Sequence, residues 1–348
     1  MSLSHHAEAR FRTPRLQPPV PSRRTRLVVA IIIGIACGVA SWLATRMPGF
    51  AQQDFAVWWL AARNLLAHQD PYTAVRDIHD APAFLYPLPT AIATIPFAWM
   101  PVSVAGPLFI GLSCSTLAFL ITVSAWWPLL MFLSGSMALS IISAQSTPLL
   151  TAALLAPSLT WLGVLKPNIG LAMLAHRPSW KSALIMLAIA VASLVVMLGW
   201  PREWIASARA SQFHFAPWRV FGGILLIASV TRWRRPEARM LAVLTFVPSS
   251  PIAYEALPLF VIPQTKREMM VLALLSDVMF LVMSNLSAQQ ETAAYFARAR
   301  LAIVWLMYLP ALTLVLRRPN RGDIPIPLER HLSGIPAWLR GMPERAAP

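Results

Sequence analysis

The chain has 348 residues, of which 57% are hydrophobic and 12% charged, against about 25% charged in an ordinary soluble domain. A soluble fold of this size has too little interior for so much apolar surface, and many apolar runs approach the ~20 residues that span a bilayer. The composition therefore excludes an ordinary soluble protein and predicts an all-α, polytopic integral membrane protein. The net charge of +15 does not point to nucleic acid, because the charge is segregated along the chain. Residues 1–26 carry six Arg and one Glu, residues 232–239 four Arg and one Glu, and residues 317–348 six Arg and three acids, whereas residues 45–82 carry three Arg and four Asp. Basic segments alternating with a near-neutral loop are the pattern of cytoplasmic and external loops, and attraction to anionic lipid heads is a further use for them.

In chain order, residues 1–26 form a basic cytoplasmic tail, 27–316 a transmembrane domain and 317–348 a basic, proline-rich tail. Leu27 to Ala44 is the first span, a signal anchor that runs outward with the N-terminus in the cytoplasm. Residues 45–82 form an external loop. Within it, Gln52 to His68 carries Phe55, Trp58, Trp59, Ala62, Leu65 and Leu66 at offsets that suit an interfacial helix with one face in lipid, the Trp pair sitting at the headgroup level. Asp70-Pro71 stops it. Residues 84–101 form an inward span kinked at Pro96, and residues 102–175 hold three or four spans. Ser182 to Gly199 crosses outward, Trp200 to Trp218 is a second external loop, and Arg219 to Val230 returns. Met240 to Pro263 is broken by PSSP at 248–251, which predicts two short helices meeting at an external turn. Met269 to Leu286 and Leu301 to Leu316 are further spans. The total is about nine or ten transmembrane helices by the spacing of apolar runs.

Few residues can carry chemistry. Cys37 and Cys114 lie in apolar runs and report neither a disulfide framework nor a metal site, and no cluster of His and Asp suggests a divalent metal. Asp54 is one of only 14 acidic residues. It opens the interfacial helix, where an aspartate serves either as a helix cap or as a general base. Glu255 and Asp277 sit in apolar surroundings, where an ionisable side chain faces a cavity or a partner. Glu255 is placed to line a substrate cavity, and Asp277 to pair with a basic residue on a neighbouring helix.

The run D-F-x-x-W-W-x-A-A-R-x-L-L-x-x-x-D-P-Y, followed about a dozen residues later by F-x-Y-P-x-P, covers Asp54, Phe55, Trp59, Arg63, Asp70, Pro71, Tyr72, Phe84, Tyr86, Pro87 and Pro89. It resembles the N-terminal signature of glycosyltransferase family 87, multi-spanning enzymes of the C-type glycosyltransferase superfamily. Weaker echoes follow at Gln145, at Lys166-Pro167, and at Ser250-Pro251 with Tyr254. The chain departs from that pattern at Ala144, where the family has Gly, at Glu255, and in a shortened stretch from Gln145 to Lys166.

The resemblance implies a C-type glycosyltransferase-like fold in a bacterial inner membrane. It implies transfer of a hexose, typically mannose, from a polyprenyl-phosphate-linked donor to a lipid or cell-envelope glycan acceptor on the outer face, with no cofactor besides that donor. Asp54 would be the catalytic base. Arg63, Tyr72, Tyr86, Gln145, Lys166 and Glu255 are the candidate substrate-binding residues, with Arg76, Arg202, Arg209 and His214 as alternative partners for the leaving phosphate. Arginine or lysine can stand in for a metal's electrostatic role at a departing monophosphate. Two other readings stay open: a transporter or lipid-glycan flippase, and a scaffold of the same fold that has lost activity.

Overall fold

The computed structural model describes residues 21–47, 54–76, 84–210, 214–287 and 292–322. Asp77, Asp80, most of the N-terminal tail, the C-terminal tail beyond 322 and the side chain of Arg76 lie outside the described residues. The described chain is helical, and its one β-bridge joins Phe215 to Ser249.

The helices are α1 (Arg23–Ala44), α2 (Asp54–Leu66), α3 (Pro71–Arg76), α4 (Leu88–Ala98), α5 (Val102–Ile121), α6 (Gly135–Ile142), α7 (Thr147–Leu155), α8 (Pro167–His176), α9 (Trp180–Ala192), α10 (Trp200–Ala210), α11 (Pro236–Phe246), α12 (Lys266–Ser287), α13 (Thr292–Ile303) and α14 (Leu309–Leu316). Tighter 3-10 segments lie between them, notably Pro157–Leu165, Gly223–Arg232 and Ala253–Val261, and a π-helical turn at Val304–Tyr308 joins α13 to α14.

Among the described residues, four helical stretches are long and apolar enough to cross a membrane: Arg23–Ala44, Val102–Ile121, Lys266–Asn285 and Ala294–Leu316. Trp180–Val195 followed by Trp200–Ala210 makes a fifth if the pair is taken as one span bent by 105°. The nine or ten apolar runs of the sequence are thus realised differently from the expectation. Between residues 123 and 262 most of them form helices of 8 to 11 residues, about 12–17 Å at 1.5 Å per residue, too short to cross ~30 Å of hydrocarbon alone. Prolines at the starts of α7, α8 and α11, and Ser134 and Ser179 capping α6 and α9, set the breaks.

The spanning helices face outward with bulky residues and inward with small ones. Leu27, Ile31, Ile32, Ile35 and Val39 of α1 are exposed, while Ala30, Gly34, Cys37, Ser41 and Ala44 are buried. That face packs antiparallel on α5. A Cβ on Gly34 would lie 2.7 Å from the Gly111 carbonyl oxygen, and one on Gly111 would lie 2.9 Å from the Gly34 carbonyl oxygen. The two backbones touch, as small residues allow in apolar surroundings where packing must replace the hydrophobic drive. The same device joins α6 to α12. A Cβ on Gly135 would meet the Ser276 carbonyl at 2.7 Å, and the Ser136 and Ser276 hydroxyls hydrogen-bond at 2.8 Å. Asp277, expected to pair with a basic neighbour, is half-buried on α12 and makes no ion pair among the described residues.

Gly111→Val should lower the unfolding midpoint in detergent by overpacking this contact, at a cost of about 1–3 kcal/mol. Gly199→Ala, at a position with no atom within 4 Å of its Cβ, should leave the midpoint unchanged, which thermal unfolding of both variants checks.

Candidate functional site

Five helix ends converge on one polar cluster, and the first is the start of α2. Asp54 is its first residue, and its backbone N–H donates to the Ser143 carbonyl at 3.0 Å. This bond fixes the N-terminal turn of α2 against the C-terminal end of α6. The α6 end is a Schellman cap: the Gln145 N–H reaches the Ser140 carbonyl at 2.8 Å and the Ala144 N–H the Ile141 carbonyl at 3.2 Å. Such a cap needs a left-handed residue, and Ala144 adopts φ +47°. The reversal turns the Gln145 side chain back onto Asp54, where its amide donates to Oδ2.

Tyr254, from the 3-10 segment Ala253–Val261, comes close enough to the Asp54 carboxyl to favour its ionised form. Its neighbour Glu255 forms an ion pair with Lys166, the residue that precedes α8, and both side chains are buried. The Lys166 ammonium also lies 5.7 Å from the centre of the Tyr254 ring. Tyr86 enters from the segment before α4. It packs edge-on to Trp58 at 5.1 Å and accepts a hydrogen bond from the Trp58 indole.

Burial pushes the Asp54 carboxyl above the usual carboxylate range. The hydrogen bond from Gln145, the approach of Tyr254 and the charge of Lys166 pull it back, and the nearby Glu255 adds to the rise. The residue keeps part of its surface exposed. Directly after Gln145, the buried hydroxyls of Ser146 and Thr147 have no hydrogen-bond partner among the described residues.

A cavity of about 470 Å³ adjoins the cluster. Tyr86, Lys166 and Glu255 form its inner wall, apolar residues such as Leu85, Leu171 and Ile205 its sides, and Arg209 and His214 add basic groups to it. Helix α10 covers one side, tied down by the Trp204 indole donating to the Leu85 carbonyl at 3.0 Å.

The structure therefore brings together Asp54, Tyr86, Gln145, Lys166 and Glu255 of the candidates read from the sequence. Tyr72 stands one step behind. It is buried, and its hydroxyl donates to the Tyr86 carbonyl at 3.0 Å, so it braces the wall without facing the cavity. Arg63 is not brought to the cluster; its guanidinium lies over the Trp59 ring at 4.8 Å on the exposed side of α2. Among the alternative phosphate partners, Arg209 and His214 line the cavity. Trp58, expected in a headgroup belt, is buried among Phe55, Tyr86 and Phe109, because α2 is covered on more than one face. Tyr254 was noted in the sequence only beside Ser250-Pro251. Its one signal as a site residue is adjacency to Glu255, an acid in an apolar run.

No family model, curated protein or solved structure matches the chain.

Two substitutions check this geometry by thermal unfolding. Ala144→Gly should stabilise the fold by about 1 kcal/mol, since a left-handed L-residue costs ~1–2 kcal/mol and the gain is partly offset by the greater freedom of an unfolded glycine. Lys166→Met should destabilise by about 3–5 kcal/mol by leaving Glu255 buried and unpaired, and adding Glu255→Leu should recover most of that loss.

Proposed function

We propose that this protein is a membrane glycosyltransferase of the C-type kind. It moves a hexose, mannose by the family resemblance, from a polyprenyl phosphate to a lipid or cell-envelope glycan acceptor at the outer face of a bacterial inner membrane. The observation that carries the reading is the setting of Asp54. A carboxylate at a helix start, held by the Gln145 amide, stands behind the wall of Tyr86, Lys166 and Glu255 that lines a cavity apolar along its sides and basic at Arg209 and His214. An isoprenoid phosphate has the matching chemistry, an apolar tail and an anionic head.

In this reading Asp54 accepts the proton of the acceptor hydroxyl as that oxygen attacks the anomeric carbon. The bond from the anomeric carbon to the phosphate oxygen breaks, its electron pair leaves with the phosphate, and the configuration inverts. Arg209 and His214 stabilise the charge that gathers on the departing phosphate. Lys166 is already neutralised by Glu255, so its task is to hold Glu255 and the Tyr254 ring in place. Tyr254 and Gln145 orient the carboxylate.

The raised carboxyl of Asp54 fixes the expected pH dependence. The base must be ionised, so the transfer rate should climb with pH through a value above the ordinary carboxylate range. Tyr254→Phe removes a donor that favours the ionised form and should shift that limb to higher pH. Asp54→Asn should reduce transfer from labelled polyprenyl-phosphate sugar by ~100-fold or more in membranes that express it at the wild-type level. Undiminished transfer would remove Asp54 from the chemistry, and substrate flux without a transfer product would favour a transporter.

A further inference from the structure

Helix α12 carries a carboxyl that the fold leaves without a partner. Its stretch Lys266–Asn285 is long and apolar enough to cross a membrane, and Asp277 lies eleven residues from Lys266 and eight from Asn285. At 1.5 Å per residue that is about 17 and 12 Å from the two ends, deep in ~30 Å of hydrocarbon. Asp277 is half-buried and makes no hydrogen bond or ion pair among the described residues. It does not line the cavity beside the Asp54 cluster. An ionisable side chain at that depth is costly and turns to a cavity or a partner. Aspartate is too short to reach the headgroups as lysine and arginine do.

The neighbours of Asp277 show a second regularity. Met270, Leu274, Asp277, Leu281 and Ser284 follow one another at steps of four, three, four and three, the a/d repeat of a left-handed helix pair. Four of the five are exposed, and Asp277 at the centre is half so. The face that α12 turns inward is a different one. Leu272, Ser276, Met279 and Met283 are buried, with Ser276 bonded to Ser136 of α6. Val282, on the flank away from the stripe, shares a hollow with Leu301 and Trp305 of the last span. Lipid satisfies the apolar members of the stripe but not the carboxyl at its middle.

We propose that this seam docks a second copy of the chain, the two α12 helices running parallel with Asp277 facing Asp277. Copies inserted in the same orientation and related by a two-fold axis along the membrane normal present each residue to its counterpart at its own depth. That geometry suits a carboxyl. One proton shared by two carboxyls makes one the donor and the other the acceptor, and like charges at close range do not both ionise. A single polar pair within an apolar seam also fixes the register of the helices. The pairing is independent of the reaction at the Asp54 cluster.

The test uses the full chain with a C-terminal fluorescent tag, donor on half of the molecules and acceptor on the rest, in phosphatidylethanolamine–phosphatidylglycerol liposomes at falling protein-to-lipid ratios. Energy transfer of the wild type should stay above that of random proximity until high dilution. Asp277→Ala should weaken the pairing about tenfold, and Asp277→Asn, whose amide is also donor and acceptor, should pair like the wild type. With Cys37→Ser and Cys114→Ala as background, Leu274→Cys and Leu281→Cys should each cross-link to a dimer on oxidation in the membrane, and Val271→Cys should not. Wild-type transfer at the random level overturns the inference. So does a dimer that Asp277→Ala leaves at full strength, or one that cross-links through Val271→Cys and not through the seam. Wild-type transfer and the cross-linking pattern decide the question even if an Asp277 variant fails to fold.

Discussion

The structure turns on the cost of keeping polar groups in an apolar setting. With no water to satisfy them, backbone amides and carbonyls at helix ends must find partners inside the protein. A chain that breaks its helices in the apolar region therefore collects those ends in one place. Here the start of α2, the end of α6, the start of α8 and the 3-10 segment Ala253–Val261 converge on Asp54, Gln145, Lys166, Tyr254 and Glu255. The bond from the Asp54 amide to the Ser143 carbonyl and the Schellman cap that follows do two things at once. They satisfy the α6 terminus, and they aim Gln145 at the carboxylate. Short helices and a polar site are two sides of one arrangement, the one also found where broken helices hold substrates near the membrane midplane.

How much of this was legible in the sequence depended on the range over which each signal acts. The spans at α1 and α12, and the break at PSSP between α11 and Ala253–Val261, are written in local hydropathy and proline placement, and they were readable. The helix α2 was placed near its true limits by Asp54 and Asp70-Pro71. The number of full crossings was not readable, because an apolar run says that a segment avoids water but not that it stays helical for ~20 residues. Burial of Trp58 was unreadable for a related reason: an amphipathic stripe with Trp at its edge looks the same whether lipid or other helices cover it. The pairing of Lys166 with Glu255 and the approach of Tyr254 to Asp54 are long-range facts, and no local period encodes them. The Ala144 change stood out in the sequence as a missing glycine, and the positive φ at that position explains why a glycine suits it.

The basic segment at 232–239 shows the same economy at the other end of the molecule. Read as sequence, its arginines served orientation and anionic lipid. In the fold they are mostly spent on backbone. Arg239 donates to the carbonyls of Ala175, His176, Trp233 and Arg234, and Arg232 to those of Leu316 and Arg318. Glu237 gathers Arg235 and Arg318, and Arg318 also reaches Glu268. The ends of α8, α14 and α12 are thereby joined by charge-assisted bonds to carbonyls that would otherwise lack donors. Positive charge concentrated on one side of a membrane protein is then compatible with little free charge at that surface.

The charge balance of the Asp54 cluster limits what it can hold. Asp54 and Glu255 against Lys166 leave the cluster with a net charge of −1 whenever Asp54 is ionised, with Tyr254 and Gln145 contributing only dipoles. A phosphate placed directly on Asp54 would meet that charge in surroundings that screen it poorly. If the site takes a phosphate-bearing donor, as proposed, its anionic end would be favoured at Arg209 and His214 rather than on Asp54. In the proposed reaction, that polarity would keep anion binding apart from proton acceptance. The Lys166–Glu255 pair fits the same proposal, because a free lysine beside Asp54 would hold the carboxylate as a tight ion pair and weaken it as a base.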